Sequence, residues 1–464
     1  MPALWTLGLG LWGLSRQGSL WRDEAATWQV ALRPAADIRA MLANVDAVHG
    51  GYYLLMHGLF DWFGPSTTTL RLPSVLAMAV AAACVAVIGE RLGGRWAGLG
   101  GGMVLGLLPA VQFYFQEGRP YALVAAGAGI STLLLVTLVQ GPGRWGRWAA
   151  YAGAVLFGAL LNWLSLLILP AHAATLAWSG ARRGVWGRWA AASAAAVAGA
   201  LPLILYTSRQ SGQVAWIPPL TWHMLIGPAV LLAIGGLGAA ADRPGAGRLS
   251  LASVGLPLLA VPQLGLVAIS LVKPLFLDRY VLFGMLGLAM LAGAVLATAV
   301  RVAVPRFPVA SRWLVPVLLA CVVAALLPQS LAKRAPSSRV DDVLAITAGV
   351  RRLNEPGTAV VFLPAARRDT ALVSPEAFTG LRDIALHRGP LATGTLNGVE
   401  AEPARIREAM LAEPRILLVT DTPGAARPEA ERREKVKAAV LRDHFSVIAD
   451  ERARGRRVTL YERK

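Results

Sequence analysis

Apolar runs of roughly 16–24 residues, separated by short connectors rich in Arg and Gly, recur through most of this chain. A helix rises 1.5 Å per residue, so about 20 residues cross a hydrocarbon core of about 30 Å. In lipid every backbone N–H and C=O must find its partner within the protein, which leaves helices or closed barrels. These runs are too long and too continuous for barrel strands. The expected fold class is therefore an α-helical multi-pass membrane protein with about eleven spans. Apolar residues make up 55% of the 464, and the mean hydropathy of +0.53 sets the chain apart from ordinary soluble enzymes.

The first run, 4–14, is short for a span. It either tilts and continues towards Trp21 or begins upstream, and it reads as a first span with a cytoplasmic N-terminus. A cleaved signal peptide would start with a basic stretch, and none is present. The other spans are expected at 68–88, 96–115, 121–139, 148–161, 164–178, 189–206, 222–240, 251–272, 280–300 and 313–331. With this topology the cytoplasmic connectors hold Arg91, Arg95, Arg144, Arg147, Arg182, Arg183, Arg188, Arg243, Arg248, Arg301, Arg306 and Arg312, opposed only by Glu90 and Asp242. That is a positive-inside pattern, and it accounts for much of the net charge of +18 without nucleic acid. Cys84 and Cys321 both fall in apolar runs, so neither a disulfide framework nor a Cys-based metal site follows.

Residues 15–65 form a long first outer loop, with short amphipathic helices expected at 23–32, 34–45 and 48–63. Beyond residue 331 the composition turns charged and mixed. An amphipathic helix at 340–353 and strands at 359–363, 416–420 and 458–461 suggest a small extracytoplasmic α/β domain. The domains are thus 1–331, in the membrane, and 332–464, outside it. The second has no P-loop or dinucleotide fingerprint, and it reads as an acceptor-binding module or a stabilising cap.

Four features fall on the outer side. Asp23 and Glu24 follow the first apolar run; carboxylates at a bilayer centre cost roughly 2.5–3.5 kcal/mol, so such a pair sits at an interface or in a wet cavity. His49 precedes Gly50 and Gly51, which allow close backbone approach, and then Tyr52 and Tyr53. Gln116-Glu117-Gly118-Arg119-Pro120-Tyr121 forms a turn between two spans, and Lys273 to Tyr280, with Asp278-Arg279-Tyr280, opens the tenth. Each feature has an ordinary reading: solvated acids, a structural histidine, anchoring arginines. Together they supply acids for a sugar and cations for a phosphate, beside apolar helices that could hold a lipid tail. Arg suits phosphate because its planar fork donates two hydrogen bonds and stays charged.

These motifs resemble those of GT-C-class membrane glycosyltransferases, the protein mannosyltransferase and aminoarabinose-transferase-like superfamily, in its bacterial family 39-like branch. Trp21-Arg22-Asp23-Glu24-Ala25 is similar to that class's acidic motif, and the His49 segment to its His-Pro-Pro-Leu-Tyr-Tyr-Leu-Leu stretch, with two glycines replacing the prolines. The 116–121 turn is similar to its Glu-Ala-Arg-Pro-Tyr turn, and Arg279-Tyr280 to its late Arg-Tyr. The resemblance implies a plasma-membrane enzyme that moves a sugar, with inversion, from a polyprenyl-phosphate donor to an extracytoplasmic glycan, lipid or protein. It implies Asp23 as general base. Glu24 and Glu117 would orient the acceptor or, with Asp23, bind a divalent cation such as Mg or Mn. Arg119 and Arg279, then Lys273, would neutralise the phosphate, and Tyr52, Tyr53, Tyr121 and Tyr280 would line the sugar site with His49. The competing reading is a transporter or flippase of a lipid-linked saccharide. Transporters bury charge near the midplane, and within the expected spans His172 is the main such group, more simply read as a packed core histidine.

Overall fold

The structure, a computed structural model, describes the chain except residues 142, 211, 213–215, 243–248, 308, 310, 356 and 426–430. Arg243 and Arg248 lie outside the described residues, as does the side chain of Arg312. The described residues form two compact units: 1–14, 47–52 and 71–333 in one, and 15–46, 53–70 and 334–464 in the other. Residues 15–65 thus divide between the units, and most of them belong with the C-terminal segment.

The first unit is helical, and the protein is a multi-pass membrane protein. Among the described residues seven helices are long and apolar enough to cross a bilayer: Thr67–Gly93, Tyr121–Gln140, Arg183–Ser208, Trp222–Ala241, Leu251–Val272, Gly284–Ala303 and Trp313–Arg334. The remaining expected runs form shorter helices. Pro2–Leu11 has 10 residues and Trp145–Leu161 has 17. Trp163–Trp178 opens with a 3₁₀ turn before the Ile168–Trp178 α-helix. The run expected at 96–115 divides into Arg95–Leu107 and Pro109–Tyr114, because Leu108 is extended (φ −60°, ψ 127°). A residue before proline is driven out of the helical region, so Pro109 sets that break.

Glycine lets these helices approach at backbone distance. A Cβ on Gly287 would meet the Gly255 carbonyl oxygen at 2.3 Å, and one on Gly293 the Ala97 carbonyl oxygen at 2.4 Å. Lipid tails are as apolar as leucine, so close van der Waals packing through small residues is what holds such helices together. His172 is buried among them; Tyr151 Oη lies 2.8 Å from its Nδ1 and Thr132 Oγ1 lies 3.1 Å from its Nε2. Thr132 already donates to the Ala128 carbonyl and Tyr151 already accepts from Trp189. His172 therefore accepts at Nδ1 and donates at Nε2, a neutral and satisfied core residue.

The C-terminal segment forms strands β1 (Ala359–Leu363), β2 (Arg382–Asp383), β3 (Leu386–Arg388), β4 (Val399–Glu400), β5 (Arg415–Asp421), β6 (Phe445–Ala453) and β7 (Arg456–Arg463). The main sheet runs β2-β1-β5-β7-β6, parallel through β2, β1 and β5 and antiparallel from β5 to β7 to β6. Alternation along β1 and β5 sends Val360, Phe362, Leu417 and Val419 into one core. Val361, Leu363, Ile416 and Leu418 enter a second core with Ile406, Met410 and Val440 of the Pro403–Ala412 and Arg432–His444 helices. A sheet covered on both faces is the α/β layering that its apolar strands require. The helix expected from 340 starts only at Thr347, since Asp342 Oδ1 instead accepts the backbone N–H groups of Leu344 and Ala345.

Arg456 of β7 is fully buried and donates to both Asp369 oxygens (2.8 Å each) and to Asp341 (3.0 Å). Burial opposes the charge of Asp341, but Arg456 and Arg22 outweigh it and hold its carboxyl below the usual range.

Two outcomes follow. Gly287→Val should cost about 1–3 kcal/mol or block folding, read as a lower thermal unfolding temperature in detergent. Arg456→Met should cost the outer domain about 3–5 kcal/mol at neutral pH, by leaving buried carboxylates uncompensated. The depressed Asp341 pKa stabilises the native protein above the unfolded value of about 3.9 and that gain is lost as pH falls through the folded value. The stability gap between native protein and Arg456→Met, measured by denaturant unfolding, should therefore narrow on acidification.

Candidate active site

Of the four sequence features, the ones around His49, Arg119 and Arg279 come together in the helical unit. The Gln116–Tyr121 turn is locked to the first helix: Gln116 Nε2 donates to the carbonyls of Gly10 (2.8 Å) and Trp12 (2.7 Å). Ser74 Oγ donates to the Glu117 carbonyl at 2.6 Å and also reaches that of Arg119 at 3.2 Å. With its backbone held in this way, the turn presents Arg119 to the 3₁₀ turn Ala47–His49. Arg119 Nη2 lies 2.9 Å from His49 Nε2. A guanidinium can only donate, so His49 accepts at Nε2 and is the neutral, Nδ1-protonated tautomer. The Ala47 N–H donates to Gln210 Oε1 at 3.0 Å, which holds the same turn beside the end of the Arg183–Ser208 helix. Tyr52 follows, buried, and Glu117 is fully buried.

The late motif forms an aromatic and cationic cluster with that turn. Arg279 lies 5.6 Å from the Tyr121 ring centroid and 5.9 Å from that of Trp216. Tyr121 also packs on Tyr280 (6.2 Å) and Tyr114 (6.0 Å). Tyr114 Oη donates to Asp278 Oδ1 at 2.9 Å, and the Arg279 N–H donates to the same oxygen at 2.8 Å. The two rings restrict a guanidinium that the chain itself leaves flexible, an arrangement suited to holding an anion.

A cavity of about 330 Å³ gathers His49, Lys273 and Tyr280 with Asn162, Gln210 and a wall that includes Ile204, Ile269 and Leu275. Its lining combines a cation and polar groups with apolar side chains, a mixture suited to an amphiphilic phosphate. Asn162, Gln210 and Trp216 carry no motif. They were invisible in the sequence because a lone amide or indole in a connector has no pattern until the fold assigns it a neighbour.

The acid pair belongs to the other unit. Asp23 and Glu24 occupy the first turn of the Arg22–Ala31 helix, where the helix dipole favours negative charge. They face different surroundings. Glu24 is fully buried, 3.8 Å from the buried Arg16, whereas Asp23 is partly exposed. Tyr53 is fully buried with Val30, Ile38 and Met41, and its hydroxyl donates to Asp46. Among the described residues no three His, Cys, Asp or Glu side chains gather into a group that could hold a metal ion.

Two solved structures share this architecture. ArnT from Cupriavidus metallidurans bound to undecaprenyl phosphate superposes with a TM-score of 0.60 at 13% identity, over 98% of this chain and 96% of that one. Its apo form gives a TM-score of 0.56 at 14% identity, over 94% and 95%. The chain has the fold of ArnT. The helical multi-pass architecture with a small C-terminal sheet region, expected from the sequence, is thus the one present. No protein-family model matches the chain, and no curated protein does. The likeness to ArnT therefore lies in the fold, at an identity that leaves the side chains to be argued separately.

His49→Leu should lower stability by about 1–3 kcal/mol, because it removes the acceptor used by Arg119. His49→Gln, whose Oε1 can accept, should stay close to the native protein. Equal thermal unfolding temperatures for the two variants would contradict the tautomer assignment.

Proposed function

We propose that this protein is an integral membrane glycosyltransferase. It moves a sugar from a polyprenyl-phosphate donor to an extracytoplasmic acceptor, with inversion at the anomeric carbon. The observation that carries this reading is the cavity in which Lys273, His49 and Tyr280 face apolar side chains. ArnT, whose fold the chain shares, has been crystallised with undecaprenyl phosphate, a ligand of the amphiphilic kind that such a cavity suits. The Arg-rich connectors would be cytoplasmic, which puts the acid helix and the C-terminal domain on the outer face.

In this mechanism the acceptor hydroxyl oxygen attacks the anomeric carbon. The bond from that carbon to the phosphate oxygen breaks, and its electron pair leaves with the lipid phosphate. Asp23 takes the hydroxyl proton as the oxocarbenium-like transition state forms. A carboxylate is a weak base in water, so its contribution comes from positioning and partial dehydration. Glu24, held by Arg16, supports the acid helix and acts behind Asp23. Arg119, Arg279 and Lys273 stabilise the charge that builds on the leaving phosphate. Tyr52, Tyr121 and Tyr280 line the sugar.

Asp23→Asn should abolish transfer while leaving expression and thermal stability near those of the native protein. Arg279→Ala should raise the donor KM and weaken undecaprenyl phosphate binding, with acceptor KM little changed. Transfer is measured with a panel of polyprenyl-phosphate sugars, chosen after comparing surface glycans of a deletion strain with its parent. Full activity in Asp23→Asn would remove that residue from the mechanism.

A further inference from the structure

The acid-bearing helix has no cap of its own. Its N-cap residue is Trp21, whose side chain makes no capping hydrogen bond. The cap comes instead from more than three hundred residues away. Asp341 Oδ1 accepts the Arg22 N–H at 3.1 Å, and Oδ2 accepts Arg22 Nε at 2.9 Å. Two residues before the helix, Leu20 is gripped at both backbone groups. Its N–H donates to Asp342 Oδ1 (3.2 Å), and its carbonyl accepts the Val343 N–H (2.6 Å).

The clamp is itself anchored. Asp341 is bound by Arg456 of β7, and Asp342 accepts from Arg454 at 2.8 Å in the turn that precedes it. Leu20, Asp341, Asp342 and Arg456 are all buried. Gly455, in that turn, has φ +86°, and a Cβ there would meet the Val340 carbonyl oxygen at 2.2 Å. The sheet of the C-terminal domain therefore holds the backbone immediately before Asp23 through two carboxylates and three arginines.

We propose that Asp341 and Arg22 are positioning residues for the transfer reaction. The C-terminal domain then acts as the outer half of the acid site, aiming Asp23 rather than simply capping the protein. This rests on the functional reading above. The clamp and Asp23 belong to one unit, and the cavity, Arg119 and Arg279 to the other, so donor affinity should be spared. Misplacing a catalytic group by about 1 Å can cost on the order of 100-fold in rate.

The test uses the full chain in nanodiscs, with Arg22→Met, Asp341→Asn and Asp341→Glu beside Asp23→Asn. Arg22→Met removes the side-chain arm of the clamp, keeps the backbone bonds to Asp341 and Asp342 and leaves the Arg456–Asp369 pair in place, so the domain should still fold. In Arg22→Met and Asp341→Asn we expect kcat to fall about 10- to 100-fold. The donor KM and the affinity for undecaprenyl phosphate should stay within about twofold, and Asp341→Glu should recover part of the rate. Full turnover in both Arg22→Met and Asp341→Asn, with Asp23→Asn inactive, overturns this inference alone. A loss confined to Asp341→Asn and matched by a fall in thermal stability also overturns it, because Asp341 is then only part of the domain core. Full turnover in Asp23→Asn overturns the functional reading, and this inference with it.

Discussion

A charge taken out of water must meet an opposite charge or a ring of dipoles, and that requirement shapes every functional part of this protein. Glu24 is buried and faces Arg16. Asp341 is buried and faces Arg456 and Arg22. Arg119 meets a neutral histidine, and Arg279 is stacked between Tyr121 and Trp216. The pairings of Asp341 tie together segments distant in sequence, because removing one partner of a buried ion pair costs several kcal/mol. The ionic contacts thereby do in the site what glycine contacts do in the membrane helices: they leave the local chain few alternative arrangements.

Division of labour between the two carboxylates follows from the same rule. Adjacent residues on a helix point about 100° apart, so the neighbours Asp23 and Glu24 cannot share one environment. Glu24 turns inward to Arg16, and Asp23 keeps partial access to solvent. A buried, ion-paired acid is well placed to hold a helix, and a partly exposed one to exchange a proton. The cationic side shows a parallel split. Arg119 and Arg279 are fixed by hydrogen bonding and stacking, while Lys273 is exposed at the cavity with the flexible stem of a point charge.

How much of this was legible beforehand depended on the range of the interaction. The apolar runs at 121–139 and 251–272 became helices Tyr121–Gln140 and Leu251–Val272, since lipid leaves a long apolar segment no other backbone solution. The four motifs stood out because each packs its chemistry into a few consecutive residues. The break at Leu108 was locally encoded by Pro109, although hydropathy alone runs straight through it. Strand β6 was missed because its solvent-facing residues, such as Ser446 and Glu451, give an edge strand little apolar signature. The Asp341 clamp gave no sign at all, since an acid near the start of an outer domain looks the same whether it caps a helix or meets water.

The amino-acid sequence by itself determined the membrane helices, the positive-inside bias and the local motifs, because periodicity, hydropathy and proline act over a turn or two of chain. Only the tertiary structure decided which charges are buried and with whom: that Glu24 turns to Arg16, that Asn162 and Gln210 join the cavity, and that the loop carrying Asp23 belongs with the C-terminal domain. The physical reason is the range of the pairing. An ion pair between Arg22 and Asp341 spans 319 residues, and nothing in either local stretch specifies a partner that only the folded chain brings within reach.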